Sequence, residues 1–272
     1  MTAVAVDRPG RPHVAHTRRV STLGIILIGL WIVLALLLVW ALAHSITGDR
    51  LATFGGRFFS GFRTTIELVV LSVLIGAVIS VPVAAGRLSR NRIIGTLAYC
   101  YSYFFRGSPL IAQLFLIYYG AGEFAGPLKS IGLWWFFRDA FNCAVLSFAL
   151  NTAAYQSEIL SGSIRNIPHG QREAATALGL HRWVIIWKIV LPQALVVALR
   201  PYGNEVVLMI KASAVAAIVT VLDLMGQTRF IFSKTYDLSF YLWAALFYFV
   251  LVELLGRAIN AIERRITRHH IR

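Results

Sequence analysis

The chain has 272 residues, of which 58% are hydrophobic and 14% charged, with a formal net charge of +14. A mean hydropathy of +0.70 excludes a water-soluble globular domain. The basic residues are spread over several short segments, so membrane topology and anionic lipid account for them and no nucleic-acid partner is expected.

Residues 1–20 are polar and rich in Arg, His and Pro, which predicts a disordered tail. Apolar segments able to cross about 30 Å of hydrocarbon follow at 23–43, 62–86, 98–120, 139–161, 195–222 and 239–261. The expected fold is therefore an all-α polytopic membrane protein of about six helices, with the chain after the tail as one membrane domain. The first segment follows Arg18-Arg19 and offers Ala41-Leu42-Ala43 as a small-x-small site, as a signal peptide would. Its apolar run is longer than the usual signal core, which predicts a retained anchor; cleavage would leave five spans.

With both ends in the cytosol, the inner segments carry about twice as many Arg and Lys as the outer ones, as the positive-inside rule requires. Cys100 and Cys143 fall at or within spans and support no disulfide framework, so both are expected to pack.

In the third segment, Gly107 and Pro109 are expected to break or kink a helix at membrane depth. Such breaks line pathways or are packing kinks. Arg106 must snorkel or pair, and Ser108 sits at the break. In the fourth segment Asn151 and Tyr155 share a helical face, suited to substrate or to neighbouring helices. Glu158 is expected to bridge to an arginine of the loop that follows.

That loop, residues 165–192, contains EAATALGLHRWVIIWKIVLP. Asn166 can cap a helix, Pro168 suits a first turn and Gly179 can end it. The expectation is a short helix, a glycine turn and a second short helix, with Pro192 starting another helix or forcing a bend. So short a helix needs a surface to lie on. In the fifth segment Asn204, Glu205, Lys211 and Ser213 interrupt an apolar run. Glu205 and Lys211 are six apart and do not share a face cleanly, so each should find a partner on another helix; they line a path or form structural ion pairs.

The loop resembles the EAA loop of ABC importer permeases, whose pattern of Glu-Ala-Ala, Gly, Ile and Leu-Pro is met by Glu173, Ala174, Ala175, Gly179, Ile189, Leu191 and Pro192. RGSPL at 106–110, LNTAAY at 150–155 and GNEVVLMIK at 203–211 resemble the polar amino-acid branch, closest to M-type subunits of importers for histidine, basic amino acids and opines. The resemblance covers about residues 60–265. It implies a type I importer transmembrane domain with five core helices plus an added N-terminal one. In that family the loop docks on an ATPase and passes its motion to the membrane helices.

The implied partners are an ABC ATPase dimer, a second permease subunit, a periplasmic or lipid-anchored substrate-binding protein and membrane lipids, in a bacterial inner membrane with both termini cytosolic. Related chains often read Lys-Asp-Thr-Ser where this one reads Lys211-Ala212-Ser213-Ala214. The missing acid suggests that the second permease is a distinct paralogue that supplies it.

No phosphate-binding loop and no metal-ligand spacing occur, so no cofactor is expected on this chain, with ATP and Mg on the partner ATPase. No catalytic constellation appears either, so a transport subunit is expected rather than an enzyme. A secondary transporter or channel working without an ATPase is the alternative, although it has no use for an EAA loop.

Overall fold

The computed structural model describes residues 22–45 and 47–267. The tail expected over 1–20 lies outside them, as does the end of the chain beyond residue 267. Among the described residues there is no β-strand.

α1 (Thr22–Ser45) is a unit by itself. Its apolar residues cover every side, as suits a helix surrounded by lipid. It extends the anchor expected at 23–43 by a residue or two at each end.

The second unit begins with α2 (Gly48–Arg87), 40 residues and about 60 Å long, twice the hydrocarbon thickness. Its buried positions include Phe58, Gly61, Thr65, Leu68, Ser72, Gly76, Ser80 and Ala84, a stripe at helical spacing made largely of small residues. Against it lies α7 (Ala140–Arg165). The two approach so closely that a Cβ on Gly76 would sit 3.1 Å from the Ala149 carbonyl oxygen.

Between them come α3 (Arg92–Gly107), α4 (Leu110–Glu123) and two short helices, α5 (Ala125–Ser130) and α6 (Trp134–Phe137). The single span expected at 98–120 is thus two helices. Ser108 and Pro109 are both extended, at ψ 147 and 132, because Pro109 disfavours helix in the residue before it.

After α8 (His169–Ala177) and the single turn α9 (Arg182–Val184), a π-helical segment, Ile185–Val190, runs straight into α10 (Leu191–Ser213). A 3₁₀ turn, Ala214–Val219, ends at Thr220 in left-handed conformation (φ 68). α11 (Leu224–Thr235) is an additional short helix, packed on α2 and α12 (Ser239–Thr267). The amide of Leu224 donates to Thr65 of α2, and the Tyr248 hydroxyl of α12 donates to the Asp223 carboxylate that caps α11.

Four helical runs among the described residues are long and apolar enough to cross a membrane: Thr22–Ser45, Gly48–Arg87, Arg182–Val219 and Ser239–Ile266. α7 is long enough but too polar. It is buried on most of its circumference, including Ser147, Asn151, Thr152, Gln156 and Ser157, so its surroundings are protein rather than lipid. One packing expectation needs correction: Cys143 is buried, but Cys100 is exposed, because it lies on the face of α3 that no neighbour covers.

Candidate functional site

Two sites emerge, one at the α8 end of the bundle and one at the α3–α4 break. In the first, α8 closes with a complete Schellman turn. Gly179 adopts φ +71, its amide donates to the Thr176 carbonyl, and the Leu180 amide donates to the Ala175 carbonyl. An L side chain at Gly179 would be strained whatever the space around it.

Two expectations for this loop need correction. Asn166 does not cap α8: α7 runs further than its apolar stretch, so the Asn166 amide still donates to Gly162 and Pro168 occupies the cap position. The second element is also no separate short helix, since residues 182–213 are helical throughout. Pro192 lacks an N–H and its ring crowds the preceding turn. The wider π turn just before it, where the Leu191 amide reaches the Ile186 carbonyl, lets the chain continue.

The motif residues divide by role. Ala175 is buried with Ile167, Ile185, Val190 and Ala194, and Ile189 packs on that cluster. Glu173, Ala174 and Pro192 are exposed, and Leu191 is half-buried. Leu178 (78% exposed) and Trp183 (64% exposed) present apolar surface beside them. Two side-chain bonds hold this element to the bundle. Arg172 donates to the Ile164 carbonyl of α7 at 2.6 Å, and Gln193 of α10 donates to Gln171 at 2.7 Å. α8 is thereby linked to both α7 and α10.

The second site forms where α3 breaks. The freed Phe105 carbonyl accepts from Asn151 Nδ2 at 2.8 Å and from Gln113 Nε2 at 2.9 Å. Gln113 also donates to the Ser108 hydroxyl and carbonyl, and Asn151 donates to Gln113 Oε1. These neighbours satisfy the Phe105 and Ser108 carbonyls, which the break releases, as the membrane interior demands.

Arg106 stands over the Tyr155 ring at 5.4 Å, and its guanidinium lies 3.7 Å from Glu158. Glu158 also pairs with Arg87 at the end of α2. Arg165 donates to the Arg87 carbonyl at 2.7 Å, so a polar chain leads from the break to the end of α7. Glu158 was expected to bridge to a loop arginine. It takes Arg87 and Arg106 instead, because α2 and α3 flank it where α7 leaves the bundle.

Among the candidate path residues, Arg106, Ser108, Asn151 and Tyr155 come together here. Glu205 makes no hydrogen bond or ion pair with any of these four. It is buried and accepts from Thr152 at 2.9 Å, which ties α10 to α7. Gln156 extends that tie by donating to Thr152 and to the Val73 carbonyl of α2. Ser213 bonds within its own helix, to the Ile210 carbonyl. Asn204 and Lys211 are exposed, seven residues apart, and with Arg200 make a polar stripe along an otherwise apolar helix.

Sequence reasoning missed Gln113 and Gln156. Each is a lone amide in an apolar or small-residue run, and its cost there without partners was the available signal. The described residues hold no cluster of His, Cys, Asp and Glu able to bind a metal.

Residues 72–268 match the family model described as binding-protein-dependent transport system inner membrane component. The chain is 44% identical to the nopaline transport system permease protein NocM of Agrobacterium fabrum, over 78% of this chain and 89% of that one. It is 39% identical to the histidine/lysine/arginine/ornithine transport system permease protein HisM of Escherichia coli K12, over 79% of this chain and 90% of that one. Among solved structures, an amino acid ABC transporter crystallised with histidines superposes with a TM-score of 0.70 at 31% identity, covering 81% of this chain and 99% of that one.

Proposed function

The chain belongs to the family of inner membrane components of binding-protein-dependent transport systems, and from that premise we propose that it carries basic amino acids or opines along a path past the α3–α4 break. It is a multi-pass membrane permease subunit of an ATP-driven importer, not an enzyme, and the ATPase is a separate subunit. ATP and Mg belong to that ATPase, and a substrate-binding protein delivers the cargo. The carrying observation for the coupling role is that α8 is bonded to α7 through Arg172 and to α10 through Gln171. A push on the exposed surface of Glu173, Ala174 and Leu178 would reach α7, which bears Asn151 and Tyr155, and α10, which bears Asn204, Glu205, Lys211 and Ser213.

The chemistry of the break supports a cationic cargo. Glu158 is an acid at the edge of the break, shared between two arginines and only partly covered. A guanidinium or ammonium group can replace Arg106 beside it while Tyr155 offers its ring face. The stripe of Arg200, Asn204 and Lys211 needs protein or water rather than lipid opposite it, which fits a second permease subunit. That subunit is a distinct paralogue in this reading, since two copies of Lys211 facing one another would repel a cation. The α8 end and both termini face the cytosol, where the ATPase lies.

The test is reconstitution in liposomes with the ATPase, the binding protein and the second permease. ATP-dependent uptake of arginine, lysine or an opine is expected only with all components, and Glu158→Gln should weaken it for cationic cargo. Gradient-driven uptake by this chain alone would instead establish the secondary transporter. ATP-driven uptake without a second permease would remove the paralogue.

A further inference from the structure

A long hollow opens between α2, α7, α10 and α12. It measures about 750 Å³ and is lined almost wholly by apolar side chains, among them Val81, Leu195, Leu199, Val206 and Ile262. It lies apart from the break and from the polar stripe of α10. At 100° per residue, the hollow's residues on α10 centre roughly 135° away from Arg200, Asn204 and Lys211. The helix thus shows one polar face and, separately, one apolar recess.

The mouth of the recess is at the α8 end. Trp187 and Ile266 line it there, and both are well exposed. Lys188 is three residues from the lining Leu191, and Arg265 three from the lining Ile262, so each stands about one helical turn from the wall. Both are exposed, and neither has a hydrogen-bond or ion-pair partner among the described residues. Along α10 the wall runs from Leu191 to Val206, about 22 Å, enough to take a chain from the interface through the ~15 Å half-thickness of hydrocarbon.

We propose that this recess is a binding site for an anionic phospholipid of the cytosolic leaflet, with an acyl chain in the apolar hollow and the phosphate between Lys188 and Arg265. Charge selects the ligand: a zwitterionic head would give the two cations no net negative partner, whereas an anionic head is attracted to both. Burial of the chain supplies the remainder without selecting a headgroup. The site adjoins the π segment through Trp187, so the lipid braces the element that joins α8 to α10. The leaflet assignment rests on the cytosolic placement of α8 given above; the binding test does not depend on transport.

The experiment uses the assembled transporter in nanodiscs of brominated phosphatidylglycerol diluted into unbrominated phosphatidylcholine, and the converse mixture. Trp187 quenching is the difference between the native chain and Trp187→Phe. Quenching several-fold stronger with dilute brominated phosphatidylglycerol than with dilute brominated phosphatidylcholine is expected. Lys188→Glu with Arg265→Glu should abolish that preference, and Leu199→Trp, which fills the hollow, should do the same with the cations intact. Equal quenching by both lipids would overturn the proposal. So would a disulfide formed in high yield between Leu195→Cys and a cysteine of another subunit or of the chain's own end, since protein would then occupy the recess. Failure of ATP-driven uptake with the lipid preference intact would count against the transport reading and leave the lipid site standing.

Discussion

The turn at Gly179 and the break at Ser108–Pro109 are both interruptions of helix, but they are satisfied in opposite ways. At Gly179 the backbone closes on itself: the amides of residues 178, 179 and 180 all return to carbonyls of α8. At the break the Phe105 carbonyl is met by side chains from α4 and α7, up to 46 positions away in sequence. A local interruption in water needs only its own chain. An interruption inside a bundle needs partners aimed at it from other helices, since no solvent is there to replace them. The first can therefore act as a compact lever, while the second is bound up with the packing of the whole bundle.

The largest effect should come from the lever. Gly179→Val forces a β-branched residue to φ +71, and Glu173→Lys reverses the charge of an exposed helix face. Either change should bring ATP-driven uptake to background while leaving membrane insertion and the thermal midpoint of the bundle close to those of the native protein. Uptake assays paired with thermal-shift measurements check this. A large loss of stability would show that the turn is part of the bundle's packing after all.

The break should behave differently. Asn151→Ala removes the donor to the Phe105 carbonyl and to Gln113 at a buried position. The expected cost is about 1–3 kcal/mol, visible as a lower thermal midpoint together with reduced uptake. An unchanged midpoint would mean that Gln113 alone satisfies the break, and the contrast between the two interruptions would weaken.

The smallest effect belongs to a contact outside both regions. In the turn before α12, the Ser239 amide donates to Asp237, the Ser239 hydroxyl adds to this, and Arg50 pairs with it at 2.8 Å. These hold the Asp237 carboxyl below the usual carboxylate range. Its stabilisation is present above the ordinary pKa of about 4 and is lost as pH falls through the lowered folded value. Asp237→Asn should lower the thermal midpoint slightly at pH 7, with the difference shrinking in acid, and should leave uptake intact. A loss of uptake as large as that of Gly179→Val would erase the distinction between lever and scaffold.

The residues alone determined the all-helical membrane class, the apolar helix α1, the end of α8 at Gly179 and the interruption near Pro109, because each depends on hydropathy or on contacts within a few residues. The EAA spacing carried the family resemblance in the same way. Tertiary structure decided the rest. It placed Glu205 against Thr152, left Lys211 exposed, and gave Glu158 to Arg87 and Arg106. It also turned the helix expected after the glycine turn into the start of α10, through a π segment ahead of Pro192. Burial of α7 explains why a central helix can be too polar for a lipid-facing span. A side chain's partner in a bundle depends on which helices lie beside it, and helical periodicity gives the face of a residue without naming the neighbour that face will meet.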